Sequence, residues 1–120
     1  MNREDLVRTY LRSMETSDLV TTCACFADDA VVTSPVYGKM PFRPFYERLY
    51  ADTVKARVDI RQIYCSVSDQ NQWAAHFDYQ WTRHDGNSLS SSLVDLFGFT
   101  SDGDKIQGLE IIFDRGAMSK

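Results

Sequence analysis

Apolar residues recur at helical spacing in three early segments, and after residue 54 the chain alternates like strands. Leu6, Val7, Tyr10, Leu11 and Met14 form one apolar face and predict a helix over 3–15, with Glu4 and Asp5 in the first turn, where the helix dipole favours acids. Ser17-Asp18 reads as the cap of a second helix that turns Leu19, Val20, Cys23 and Phe26 inward and ends near Asp28. The run 30–34, AVVTS, suits a short strand, and Pro35 and Gly38 break it. Pro41 can open a third helix at its first position, followed by Phe42, Phe45, Tyr46, Leu49 and Tyr50 at helical spacing.

Residues 56–67 alternate imperfectly, with Val58, Ile60, Gln62 and Tyr64 set against Asp59, Arg61, Ile63 and Cys65. Residues 73–83 alternate cleanly, with Trp73, Ala75, Phe77, Tyr79 and Trp81 on one face and Ala74, His76, Asp78 and Gln80 on the other. Asp85-Gly86 signals a hairpin into a strand over 88–99. SDGD at 101–104 turns into a last strand over 105–114, and the tail from 114 to 120 is expected to be loose. Three helices followed by long antiparallel strands make an α+β pattern, with helices gathered on one face of a curved sheet. Such a sheet leaves a cone able to hold a small molecule. The 120 residues suit a single domain, 1–120.

Composition narrows the function. A net charge of −4, with 13 Lys and Arg scattered along the chain, argues against nucleic acid or a membrane as partner. No stretch has the length of a membrane span, and the acidic start does not read as a secretory signal. Cys23, Cys25 and Cys65 lack metal-ligand spacing, so the expectation is reduced thiols, no metal and a cytoplasmic protein.

Asp95 carries the most information. It lies among Leu93, Val94, Leu96 and Phe97, and an unpartnered carboxylate buried there costs several kcal/mol, roughly, or stays protonated. Two placements fit: a donor facing the pocket, on the face of Leu93, Phe97 and Phe99, or an Asp on the other face paired with an Arg or a backbone group. His76 falls opposite the aromatic face, where a surface or dimer contact suits it, and His84 falls in a turn. Asp28 and Asp29 read as a turn device, and SLSSS at 88–92 lacks the glycines of a nucleophile elbow.

The order of YLRSMETSDL, FADDA, SP followed by Gly, FYERL and LVDLFGF resembles the nuclear transport factor 2-like superfamily. Within it, the chain is most similar to the SnoaL-like and ketosteroid isomerase-like branch, from Leu6 to Asp114. The resemblance implies a cone-shaped fold, three N-terminal helices on a curved antiparallel sheet, commonly dimerising through the outer sheet face. It also implies a small apolar or aromatic ligand and no cofactor.

By the same resemblance, Tyr10 in RTYL and Asp95 in LVDLFGF take the places of an oxyanion hole, with Tyr46 in FYER behind Tyr10. Ketosteroid isomerases are the standing example of such an acid kept neutral by apolar surroundings. Their catalytic base is an Asp directly before a Pro; here that place is Ser34-Pro35, and a neutral hydroxyl cannot shuttle the proton. The expected pocket therefore comprises Ser34, Phe26, Phe77, Tyr79, Trp81, Leu93 and Phe113 around Asp95, and Trp73 belongs to the same aromatic row. Two functions follow: an isomerase-, cyclase- or dehydratase-like enzyme using Asp95, Tyr10 and Tyr46, or a binding module that lacks the base. The polar residues could also serve the fold alone.

Overall fold

Helix α1 (Arg3–Glu15) starts where the Asn2 side chain accepts the Asp5 N–H at 2.8 Å. Its apolar stripe of Leu6, Val7, Tyr10, Leu11 and Met14 is buried. The computed structural model describes residues 1–114 and the backbone of residues 118 and 119. Helix α2 (Leu19–Ala24) is capped by Asp18, whose Oδ1 accepts the Thr21 N–H at 3.2 Å. It is shorter than the pattern predicts. The Cys25 carbonyl accepts the Ile106 N–H at 2.8 Å, and the Ala24 carbonyl accepts the Lys105 ammonium at 2.6 Å. The chain therefore leaves the helix at Cys25 and enters strand β1 (Phe26–Ser34), which takes in Asp28 and Asp29. Strand β2 (Gly38–Pro41), absent from the sequence reading, folds back on β1 through the turn that Pro35 and Gly38 signal. Pro41 caps helix α3 (Phe42–Asp52) from just outside, rather than opening it from within.

Strands β3 (Thr53–Cys65), β4 (Gln72–Arg83), β5 (Ser88–Phe99) and β6 (Ile106–Ile112) follow as an antiparallel meander. The β4–β5 turn has Gly86 at φ 87°, a conformation that suits glycine. The sheet order is β2-β1-β6-β5-β4-β3, and β1 joins β6 in parallel, where the sequence reading expects only antiparallel pairs.

The flawed alternation in β3 has a definite cause. Ile60 pairs with Phe77 but Gln62 pairs with His76, so a bulge at Arg61 exchanges the two faces. Ile63 thus returns to the inner side opposite Ala75. Met118 and Ser119 form a two-residue strand β7 antiparallel to the start of β5, so this part of the expected loose tail pairs with the sheet. Residues 115–117 and 120 lie outside the described residues.

The core lies between the helices and the concave sheet face. Tyr10 packs edge-on against Phe26 and Phe97, each with ring centroids 5.7 Å away, and Phe26 stacks on Phe42 at 5.1 Å. Burying such rings contributes about 1.5–3 kcal/mol apiece, which holds the helices against the sheet.

Candidate functional site

The aromatic face of β4 continues into a cavity. Phe77, Tyr79 and Trp81 from β4, Leu89, Leu93 and Asp95 from β5, and Ile111 and Phe113 at the end of β6 form one side. Met14 of α1, Phe45 and Leu49 of α3, and Ser34, Val36 and Tyr37 of the β1–β2 turn close the other. The enclosed space is about 30 Å³, and about 390 Å³ once the open mouth is counted. The first figure holds about two waters; the second takes in solvent outside the opening and is not the volume of the cavity itself.

Asp95 stands opposite Ala75 of β4 and Ile111 of β6, with only 1% of its surface exposed. Among the described residues neither carboxyl oxygen has a hydrogen-bond partner, and burial raises its pKa well above the ordinary carboxylate value. Among the described residues it is the only carboxyl lining the cavity, and no Lys, Arg or His lines it. A protonated acid in an apolar wall can donate a hydrogen bond or a proton to a ligand oxygen. This is the pocket-facing placement of the two that the sequence leaves open.

Ser34 also lines the cavity, at 8% exposure. Its Oγ accepts the backbone N–H groups of Tyr37 at 3.0 Å and Val36 at 3.3 Å, so the hydroxyl holds the turn together. Tyr10 and Tyr46 are brought together, their hydroxyls 2.5 Å apart. Burial raises both phenols well above their usual pKa, and the nearby Asp95 adds to this. Both lie behind the cavity wall rather than in it, as does Phe26, which packs against Tyr10, Phe42 and Tyr46. The phenol that does line the cavity near its acid is Tyr79, whose pKa burial raises, with Asp95 contributing.

The other sequence candidates fall outside. His76 is on the outer sheet face opposite Val94, and His84 is exposed. Asp28 and Asp29 are exposed, with Asp29 accepting the Gln107 amide at 2.7 Å. Trp73 packs edge-on against Phe99, away from the cavity. Among the described residues, no group of three His, Cys, Asp or Glu is placed to hold a metal ion.

Sequence reasoning missed the polar cluster behind the wall residue Tyr37. Tyr37 donates its hydroxyl to Asp52 Oδ2 at 2.6 Å, and Arg83 Nη2 lies 3.4 Å from the same oxygen. These residues are 15 and 31 positions from Asp52, and no local pattern links them. The one available signal was that Arg83 ends the inward-facing row after Tyr79 and Trp81.

Comparison with known proteins agrees with this architecture. The SnoaL-like domain family matches residues 7–108. A candidate polyketide cyclase from Pseudomonas putida superposes with a TM-score of 0.82 at 16% identity, over 98% of this chain and 95% of that one. The Δ5-3-ketosteroid isomerase from a Mycobacterium species gives 0.77 at 19% identity, over 99% and 98%. An epoxide hydrolase/cyclase-like enzyme of pyran ring formation in the polyether salinomycin gives 0.80 at 15% identity, over 98% and 94%. At these identities the likeness is one of fold. No curated protein matches the chain.

Proposed function

Starting from the chain's membership of the SnoaL-like domain family, we propose that it is a small-molecule enzyme of cyclase-like type, with Asp95 as a neutral acid. The observation that carries this is the pair of unpartnered Asp95 oxygens in an apolar cavity. Asp95 donates a hydrogen bond, and where the chemistry requires it a proton, to an oxygen of an apolar, enolisable substrate. The apolar wall excludes water and strengthens that bond; one such donor contributes about 10²–10³ in rate. Tyr46 and Tyr10, whose hydroxyls bond each other rather than Asp95, back the wall in which the acid stands. Ser34 favours cyclase-like over isomerase chemistry, because carbon-to-carbon proton transfer needs a carboxylate base that no residue of the cavity supplies.

A titration with phenols and naphthols, which imitate an enolate, tests this. The wild type is expected to bind them and raise their ionised fraction, read by absorbance. Asp95→Leu is expected to abolish the effect and Tyr10→Phe to reduce it. Binding with no ionisation in the wild type would instead fit the second reading, a non-catalytic module for hydrophobic ligands. That reading draws on Ser34, whose Oγ is already occupied by two turn amides.

We also propose a homodimer through the outer sheet face. There Val94 stands between His76 and Ile112, and Leu96 between Ala74 and Glu110. Leu96 and Ile112 are 38% and 44% exposed, a large apolar exposure for the middle of a sheet.

A further inference from the structure

We propose that the cavity mouth is an anion subsite, and that its ligand is an apolar or aromatic body carrying a carboxylate at its outer end, held by Arg48 and Arg83. The inference rests on the cavity being the ligand site. None of the described residues that line the cavity is a Lys, Arg or His, and the guanidiniums of Arg48 and Arg83 stand over its wall residues Tyr37 and Trp81.

Two guanidiniums converge on Tyr37, a cavity residue. Arg48 Cζ lies 4.5 Å from its ring centre and Arg83 Cζ 5.9 Å. Arg83 also lies 5.3 Å from the ring of Trp81, another wall residue. A guanidinium over an aromatic face keeps its in-plane N–H donors available for a planar carboxylate.

Those donors are incompletely used. The Arg83 side chain is only 16% exposed, and its Nη2 makes long contacts of 3.4 Å to Asp52 and 3.5 Å to Asp85. Its Nε is buried with no hydrogen-bond partner among the described residues, a costly state that a shift of the side chain toward a bound carboxylate would relieve. Arg48 is exposed and has no ion pair among the described residues. Among the described residues, the carboxylates against Arg83 are those of Asp52 and Asp85. Asp52 is already engaged by the Tyr37 hydroxyl at 2.6 Å, and Asp85 is 48% exposed. Neither can satisfy both arginines.

The test uses 2-naphthoate and its uncharged carboxamide as probes in calorimetric titrations at low and high salt. At low salt the naphthoate is expected to bind about tenfold more tightly, a difference of one decade in Kd, and salt is expected to narrow the gap. Arg48→Gln, at an exposed site, should reduce the preference with carboxamide binding unchanged. Arg83→Gln should do the same, and Arg83→Lys covers the case that the glutamine variant fails to fold. Equal binding of the two probes by the wild type overturns the anion subsite while the cavity stands as a ligand site. So does a carboxylate preference that survives both arginine substitutions. Binding of neither probe removes the cavity reading and this inference together.

Discussion

Asp95 and the tyrosines show two ways a polar side chain can live in this core. Tyr10 and Tyr46 satisfy each other, and Ser13, Thr22 and Tyr50 form a second closed set, with Ser13 Oγ to Thr22 Oγ1 at 2.6 Å and Thr22 Oγ1 to Tyr50 Oη at 2.7 Å. Both sets knit helices together. Asp95 has no such partner among the described residues, so the fold holds it in its protonated form. That has a measurable consequence. Below the ordinary carboxylate value both folded and unfolded chains carry the proton, and Asp95 adds no pH dependence. Above it the unfolded chain releases the proton while the native protein keeps it, so stability falls as pH rises, by up to about 1.4 kcal/mol per unit. Asp95→Asn removes this titration. Thermal denaturation from pH 4 to pH 7 should show the variant gaining on the wild type as pH increases. A gap that stays constant would mean that Asp95 ionises in the native protein as freely as in the unfolded chain.

At the scale of elements, the β1–β2 turn sets what the cavity can do. The Ser34 hydroxyl accepts two turn amides, and an aspartate at the same place can accept them equally. Ser34→Asp is therefore expected to keep the fold, at a cost of about 1–3 kcal/mol by urea denaturation for a carboxylate at a buried site. It would place a carboxylate on the cavity wall facing the side that holds Asp95. We expect this variant to gain slow isomerisation of a β,γ-unsaturated ketone, followed by the absorbance of the conjugated product. A folded variant with no gain would show that position 34 cannot present a base to a ligand. Helix α2 and strand β3 make a related point about boundaries. The end of α2 is set by Lys105 and Ile106, 81 residues along the chain from their partners Ala24 and Cys25, and the face change in β3 by a bulge at Arg61.

For the whole molecule, the outer sheet face is the surface where assembly is expected. Val94, Leu96 and Ile112 lie side by side across β5 and β6, on the face opposite the cavity. Sedimentation velocity is expected to show a dimer, and Leu96→Arg a monomer with the same far-ultraviolet circular dichroism. A wild type that sediments as a monomer at micromolar concentration would sink the proposal. Loss of the dimer need not disturb the cavity, whose wall residues come from the other face.

The helical stripe of α1, the clean alternation of β4 and the Asp-Gly hairpin were legible in the sequence because each is a local pattern with a local cause. The same is true of Asp95 as an anomaly, since a carboxylate inside an apolar strand stands out without any tertiary knowledge. The motif order was enough to indicate the family and the curved α+β architecture. Tertiary structure alone decided which side chains meet. It put Tyr10, Tyr46 and Phe26 behind the wall, and Tyr37 on it. It ran β1 parallel to β6, gathered Tyr37, Asp52 and Arg83 in one cluster, and tied Met118–Ser119 to β5. The physical reason is range: periodicity, caps and turns act over a few residues. Strand partners, cavity walls and charge clusters join positions tens of residues apart, and only the packed chain brings those together.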